Sequence, residues 1–150
     1  MKNIFDPATA QEITHRITQL TPASPRQWGA MTTAQMLAHC SSGVEMAMGE
    51  ILPKRVFIGR VLGPLIKPQV FKNDDPMRRN SPTSKELLVP DERDLETEQA
   101  RLTGLIDRFA AAGPSCCTTH PHAFFGPLTP GQWAILMYKH LDHHLRQFGV

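Results

Sequence analysis

The chain has 150 residues, about the length of one domain, and its 41% hydrophobic content is that of a globular protein rather than a disordered chain. The formal net charge of +2 comes from interspersed basic and acidic residues, which argues against a nucleic-acid partner. Three cysteines make no disulfide framework, and neither a signal peptide nor a bilayer-spanning apolar run is visible. We therefore expect a cytoplasmic protein with a single domain over residues 1–150.

Capping signals predict where the first two helices begin. Asp6 is an N-cap residue, and Pro7 suits the first helical position that follows it. Apolar residues then recur at helical spacing as far as Leu20. Thr32 and Gln35 have the spacing of a capping box, which predicts that the second helix begins there.

The middle of the chain predicts little regular structure. Glycines and prolines interrupt the apolar, basic segment 53–70, which we expect to hold at most a short helix. Four basic residues between positions 54 and 67 alternate with apolar ones, a composition compatible with a membrane surface. The same glycines and prolines would break the helix that such binding requires, so we expect no membrane partner. The polar segment 71–90 is predicted to be a long surface loop.

Two further helices complete the predicted fold. Acidic residues at 91–94 would stabilise the start of the third main helix, and Gly113 with Pro114 would end it. Thr129 and Gln132 repeat the capping box at the start of the last helix. No segment alternates as a β-strand does. The expected fold is all-α, a four-helix bundle with one long connection between the second and third main helices.

Helical phase selects two of the three histidines near the end of the chain. At about 100° per residue, His140 and His144 fall within the apolar stripe of the last helix, whereas His143 lies about 105° from its centre. Histidines at i and i+4 have Cβ atoms roughly 5–6 Å apart, so both rings can reach one ion at about 2.0–2.1 Å. Two core histidines bonded to backbone carbonyls explain the pair equally well.

His39 provides a third candidate ligand, from a different helix. It lies at the edge of the apolar stripe of the second helix, and Gly43, one turn later, would leave space beside its ring. Together with the pair, it favours a metal site of three histidines. Three neutral ligands leave at least one coordination position open, which suits catalysis better than the four-ligand shell of structural zinc.

Other residues with suitable chemistry are weaker candidates. Glu50 could serve as an outer acceptor or a general base, and Glu45 is turned about 120° further round the helix. Solvated glutamates are the simpler interpretation of both. The segment 116–122 contains two cysteines and the histidines His120 and His122, but their spacing fits no standard zinc pattern. Either histidine could still reach the main site from this loop.

Two stretches of the sequence resemble a known family. Residues 125–149, with Phe-Gly-Pro-Leu-Thr, Gln-Trp and Lys-His-Leu-Asp-His-His-Leu-Arg-Gln-Phe-Gly, resemble the DUF1569 family of the DinB/YfiT-like group of metalloenzymes, and residues 28–40 match its other signature. The resemblance extends over nearly the whole chain. It implies a four-helix bundle of DinB/YfiT type that holds a divalent cation with three histidines, which by position are His39, His140 and His144.

The resemblance names no reaction for this branch. Relatives in the wider group include thiol-dependent S-transferases, a maleylpyruvate isomerase and metal-dependent hydrolases. We therefore expect a metal-dependent enzyme for a small molecule, either an S-transferase that uses a low-molecular-weight thiol or a hydrolase. The alternative is a non-catalytic bundle whose structural or vestigial metal site supports self-association. Zinc, nickel, iron(II) and copper all suit three imidazoles, and a homodimer is the default oligomer.

Overall fold

The computed structural model describes residues 1–81 and 83–150, which contain helices but no β-strand. Two short 3-10 turns, Lys85–Leu87 and Gly113–Cys116, accompany five α-helices. No helix in the described part of the chain is long and apolar enough to cross a bilayer. The α-helices are α1 (Pro7–Thr18), α2 (Thr33–Met48), α3 (Phe57–Val70), α4 (Leu95–Ala112) and α5 (Pro130–Gln147).

Helices α1, α2, α4 and α5 pack together as a bundle. Both α2 and α1 lie against α4 and α5, and side chains from all four helices form one apolar core. Each large apolar side chain that is fully buried contributes about 1.5–3 kcal/mol. The expected all-α bundle is confirmed. Its largest fully buried side chains include Ile13, Ile17, Met36, Leu37, Leu102, Ile106, Phe109, Trp133, Met137, Leu141 and Leu145.

The predicted caps fix the starts of three helices. The Asp6 side chain accepts a hydrogen bond from the Thr9 backbone N–H at the start of α1. Complete capping boxes begin α2, at Thr32 and Gln35, and α5, at Thr129 and Gln132. Because a cap sets where a helix begins, these two boxes also set which side chains of α2 and α5 face the core.

The start of α4 differs slightly from the prediction. Asp94 is its N-cap and accepts from the Thr97 backbone N–H at 2.8 Å, so residues 91–93 precede the helix instead of forming its first turn. The sequence predicted that acidic residues would stabilise this helix through its dipole. In the structure, Asp94 also accepts a hydrogen bond from the Thr97 amide. The helix ends at Ala112, immediately before Gly113, as expected.

Helix α5 is covered on its polar side as well as its apolar side. Lys139 is 5% exposed, and its Nζ donates to the backbone carbonyls of Val70, at 2.8 Å, and Asp75, at 3.0 Å. Asp142, also 5% exposed, accepts from Arg16 of α1 at 2.8 Å. These bonds satisfy two buried charges and attach the connection after α3 to the bundle.

The described part of segment 71–90 contains no α-helix, as predicted, but it is not only a surface loop. Leu87, in its 3-10 turn, is 8% exposed and joins the apolar core. The connection therefore enters the bundle at this point, which its polar composition did not indicate.

The prediction of at most a short helix in segment 53–70 is wrong, because α3 extends over 14 residues. Pro64 and Pro68 lie on its exposed side, where water can bind the carbonyls that lack an N–H partner. Gly59 and Gly63 lie on the opposite side, against the backbone of Phe124; a Cβ on Gly59 would be 2.6 Å from the Phe124 Cα. The glycines thus allow a close approach that larger residues would prevent.

We predict that Gly63→Ala displaces α3, because the added Cβ would overlap the carbonyl oxygen of Phe124. Hydrogen exchange of the amides in residues 57–70 should become faster. Gly104→Ala in α4 is the matched control, since nothing lies within 4 Å of its added Cβ; it should raise the free energy of unfolding by about 0.5–1 kcal/mol. Unchanged exchange in the Gly63→Ala protein would contradict the packing described here.

Candidate metal centre

Three histidines from two helices meet inside the bundle. His39 lies in α2, and His140 and His144 lie one turn apart in α5. One ligand atom from each residue lies within 4.8 Å of the other two, and no other group of His, Cys, Asp or Glu within the described ranges has this arrangement. The three ring centroids are 4.7 to 4.9 Å apart.

The separation of the ring nitrogens fits a shared metal ion. The Nε2 atoms of His39 and His140 are 2.9 Å apart. Two metal–nitrogen bonds of about 2.0–2.1 Å that enclose an angle of about 90–109° place their nitrogens about 2.9–3.4 Å apart. The residues present therefore fit a divalent ion bound by imidazoles.

Fixed acceptors determine the tautomer of two of the rings. The carbonyl oxygen of Leu87 can only accept, so His39 Nδ1, at 2.8 Å from it, carries the proton and donates. Gln147 Nε2 donates to the Trp28 carbonyl, which directs Gln147 Oε1 toward His144 Nδ1 at 2.8 Å. In both neutral rings the unprotonated nitrogen is consequently Nε2, the atom that a metal ion requires.

Burial keeps the three imidazoles neutral. It is the main cause that lowers the pKa of His39, lowers that of His140 well below its usual value, and lowers that of His144 to about 3. Repulsion by the neighbouring rings lowers the pKa values of His140 and His144 further. At neutral pH no proton has to be displaced before these nitrogens can bind a cation.

Gly43 makes room for His140. A Cβ on this residue would lie 2.9 Å from His140 Nδ1. The sequence prediction placed this space beside His39, whereas the structure places it beside the ring from the facing helix. His39 and His144 are only 4% and 8% exposed, and His140 retains a larger exposed fraction.

The two glutamates considered from the sequence are held away from the cluster. Glu45 accepts from Arg101 at 2.7 Å, and Glu50 accepts from Arg108 at 2.6 Å. Both arginines belong to α4, so these pairs connect α2 to α4. Neither glutamate is part of the histidine group.

The histidines of the loop before α5 have structural partners. His120 Nε2 donates to the Pro53 carbonyl at 3.1 Å. His122 Nδ1 accepts from the Phe124 backbone N–H at 3.0 Å, and its ring centroid lies 5.5 Å from that of Trp133. Neither ring joins the cluster, and the cysteines of this loop form no second metal-ligand group within the described residues.

His143 lines a cavity of about 300 Å³ beside the cluster. Its ring centroid lies 5.4 Å from that of Trp28 and 5.1 Å from that of His144. The guanidinium carbon of Arg79 lies 4.2 Å from the centre of the Trp28 ring, and Arg146 lies on the same cavity wall. The cavity is thus aromatic on one side and positively charged on another, and His143 separates it from His144 of the cluster.

A family model for proteins of unknown function, DUF1569, matches residues 5–149. The chain belongs to the DUF1569 family. The resemblance to DUF1569 in two stretches of the sequence is therefore confirmed, and the matched region includes His39, His140 and His144. No curated protein and no solved structure matches the chain.

Two residues that orient the histidines of this DUF1569 protein were not predicted. Gln147 lies three residues after His144 on α5, a spacing at which helical side chains meet, so the sequence did contain a signal for it. Leu87 contributes a backbone carbonyl from the middle of a long connection. No residue type signals such a bond.

We predict that Gln147→Leu weakens metal binding about 10–100-fold, because His144 Nδ1 loses its acceptor. Titration with zinc against a competing chelator measures the affinity. Gln11→Leu, on the exposed surface of α1, is the control and should leave it unchanged. Equal zinc affinity in the parent and Gln147→Leu proteins would show that this bond does not orient a ligand.

Acid should destabilise the metal-free protein. Burial lowers the pKa of His144 from 6.5 to about 3, and burial with the nearby Arg55 lowers that of His122 from 6.5 to about 4. When the pH lies between the lowered native pKa and 6.5, each of these histidines is protonated in the unfolded chain but neutral in the native protein. The free energy of unfolding therefore falls as the pH is lowered from 6.5, by at most about 1.4 kcal/mol per pH unit for each histidine.

Urea denaturation of chelator-treated protein between pH 7 and pH 4 measures this dependence. His122→Gln should reduce the slope, because it removes one of the histidines whose pKa burial lowers. A slope identical to that of the parent protein would mean that His122 is already protonated in the native state, contrary to the hydrogen bonds that its Nδ1 accepts.

Proposed function

We propose that this DUF1569 protein is a metal-dependent enzyme for a small-molecule substrate, with a bundle of DinB/YfiT type. The observation that carries the proposal is the convergence of three neutral ring nitrogens, from His39, His140 and His144, with no carboxylate or thiol of the described residues beside them. Such a donor set leaves coordination positions free for substrate. A divalent ion held there would supply a Lewis acid that lowers the pKa of a coordinated water or thiol.

The surrounding residues position the ligands and control access. The Leu87 carbonyl and the Gln147 side chain fix the rings of His39 and His144. Burial of these two rings keeps bulk water away from them, and the cavity lined by His143 lies next to His144. The ligands are thus held in place with space for a small molecule nearby.

The lack of a carboxylate base in the described cluster favours a thiol over water as the nucleophile. No carboxylate belongs to the described cluster, and the nearby glutamates are paired with arginines. A free thiol has a pKa of about 8.5, against about 15.7 for bulk water, so it needs much less assistance to lose its proton. We therefore propose a thiol-dependent S-transferase, with metal-dependent hydrolysis as the second reaction to test.

The adjoining cavity suggests the charge of the molecule that binds. Arg146 is paired with Asp142 at 2.8 Å, whereas Arg79 stacks on Trp28 and has no carboxylate partner within the described residues. A carboxylate of the thiol or of its electrophilic substrate would complement Arg79. The cavity volume of about 300 Å³ is at the small end of the range for small-molecule sites.

Metal content tests the ligand assignment. Protein without a purification tag should contain close to one divalent ion per chain, and His144→Ala should lose it. His143→Ala is a stringent control, because this neighbouring histidine lies outside the cluster and should retain the metal. Equal metal in the His144→Ala and His143→Ala proteins would contradict the proposed site.

Activity distinguishes the reaction classes. Consumption of low-molecular-weight thiols with a panel of electrophiles should be abolished by chelation and by His39→Ala, whereas ester and amide hydrolysis should be slow. Hydrolysis lost under the same two treatments would assign a hydrolase instead. Bound metal without turnover, together with a lower Tm after chelation, would favour the alternative of a structural or vestigial site used for self-association.

A further inference from the structure

The large apolar side chains of α3 face outward. Phe57 is 81% exposed, Leu65 68%, Ile58 58% and Val61 56%. At 100° per residue these four positions lie within about 100° of one another, so they form one continuous stripe. Helices of globular proteins normally turn such a stripe toward the core, and an exposed one marks an interaction surface.

This orientation is built into the way α3 is attached. Its inner face carries Gly59 and Gly63, which rest on the backbone of Phe124. Further bonds come from the Val56 N–H, which donates to the Ala123 carbonyl at 3.1 Å, and from Lys67, which donates to the Pro127 carbonyl. The helix therefore packs through its small residues and leaves its large apolar ones available.

The segment that carries the stripe has charged residues of one sign. Residues 51–73 contain five basic residues and no Asp or Glu. Of the acids at its two ends, Glu50 is paired with Arg108 and Asp74 with the N-terminal amine. None of the five forms an ion pair with another described residue. A partner that complements this surface is apolar where it meets the stripe and negatively charged around it. Of the five, Arg55 and Lys67 donate to the backbone carbonyls of Gly59 and Pro127, and the exposed ones are Lys54, Arg60 and Lys72.

A second copy of this chain fits that description poorly. In a two-fold symmetric dimer that pairs α3 with α3, the unpaired basic residues of the two copies would face one another. Like charges across an interface disfavour association. An anionic lipid surface offers both apolar depth and negative charge, and it binds helices with an apolar stripe flanked by lysine and arginine.

We propose that α3 is a membrane-surface helix, which inserts Phe57, Ile58, Val61 and Leu65 into the boundary of an anionic lipid leaflet while Lys54 and Arg60 contact phosphate headgroups. A helix of 14 residues is about 21 Å long, enough to lie along the surface. The glycines and prolines that were expected to break this helix do not prevent α3 from forming. The proposal is independent of the metal site.

Vesicle sedimentation of the full chain tests the proposal. At about 0.1 M salt the protein should bind vesicles of phosphatidylcholine with about 30% phosphatidylglycerol, and not vesicles of phosphatidylcholine alone. The double variant Phe57→Ser/Leu65→Ser should bind at least about tenfold more weakly, since two inserted side chains are lost. Arg60→Glu should also weaken binding about tenfold.

Matched controls lie outside α3. Leu88 is 59% exposed, and Leu88→Ser should leave binding unchanged, as should Arg78→Glu at another exposed position. All variants change exposed residues, so their thermal melting should match that of the parent chain. Absence of binding to anionic vesicles, equal binding to neutral ones, or equal binding by the double variant would overturn the proposal. So would a concentration-dependent dimer that the double variant alone abolishes, because the stripe would then be an interface between copies.

Discussion

The burial of three imidazole rings against one another is the constraint on which the rest of the site depends. Each ring brings two polar nitrogens into the core, and an unpaired buried polar group costs about 1–3 kcal/mol. Two outer nitrogens are satisfied by Leu87 and Gln147, which leaves the inner nitrogens of the cluster facing one another. A shared cation would satisfy all of them together.

That constraint also accounts for features far from the histidines in sequence. The long connection after α3 is attached to α5 by Lys139 and reaches the core at Leu87, where its carbonyl meets His39. Gln147 joins His144 to the backbone of Trp28, ahead of α2. The two helices that carry the ligands are thus held by segments from the beginning, middle and end of the chain.

Most of the bundle and the three histidines could be predicted from the sequence, because local rules determine them. Capping boxes fixed the starts of α2 and α5, and helical phase then favoured His144 over His143 as the partner of His140. The remainder depends on tertiary contacts. Helix α3 forms because glycines pack on the Phe124 backbone and prolines face solvent, and the Leu87 carbonyl is placed by the path of a loop. Neither the packing of α3 nor the position of the Leu87 carbonyl can be recognised from the types of residue in the sequence.

X-ray absorption spectroscopy of the zinc-loaded protein tests the central claim most directly. We expect three imidazole nitrogens at about 2.0–2.1 Å from the metal, with the remaining positions filled by light atoms that exogenous ligands can replace. The His144→Ala protein, if it retains any metal, should show two imidazoles. A first shell that contains sulfur, or fewer than three imidazoles in the parent protein, would contradict a centre formed by His39, His140 and His144.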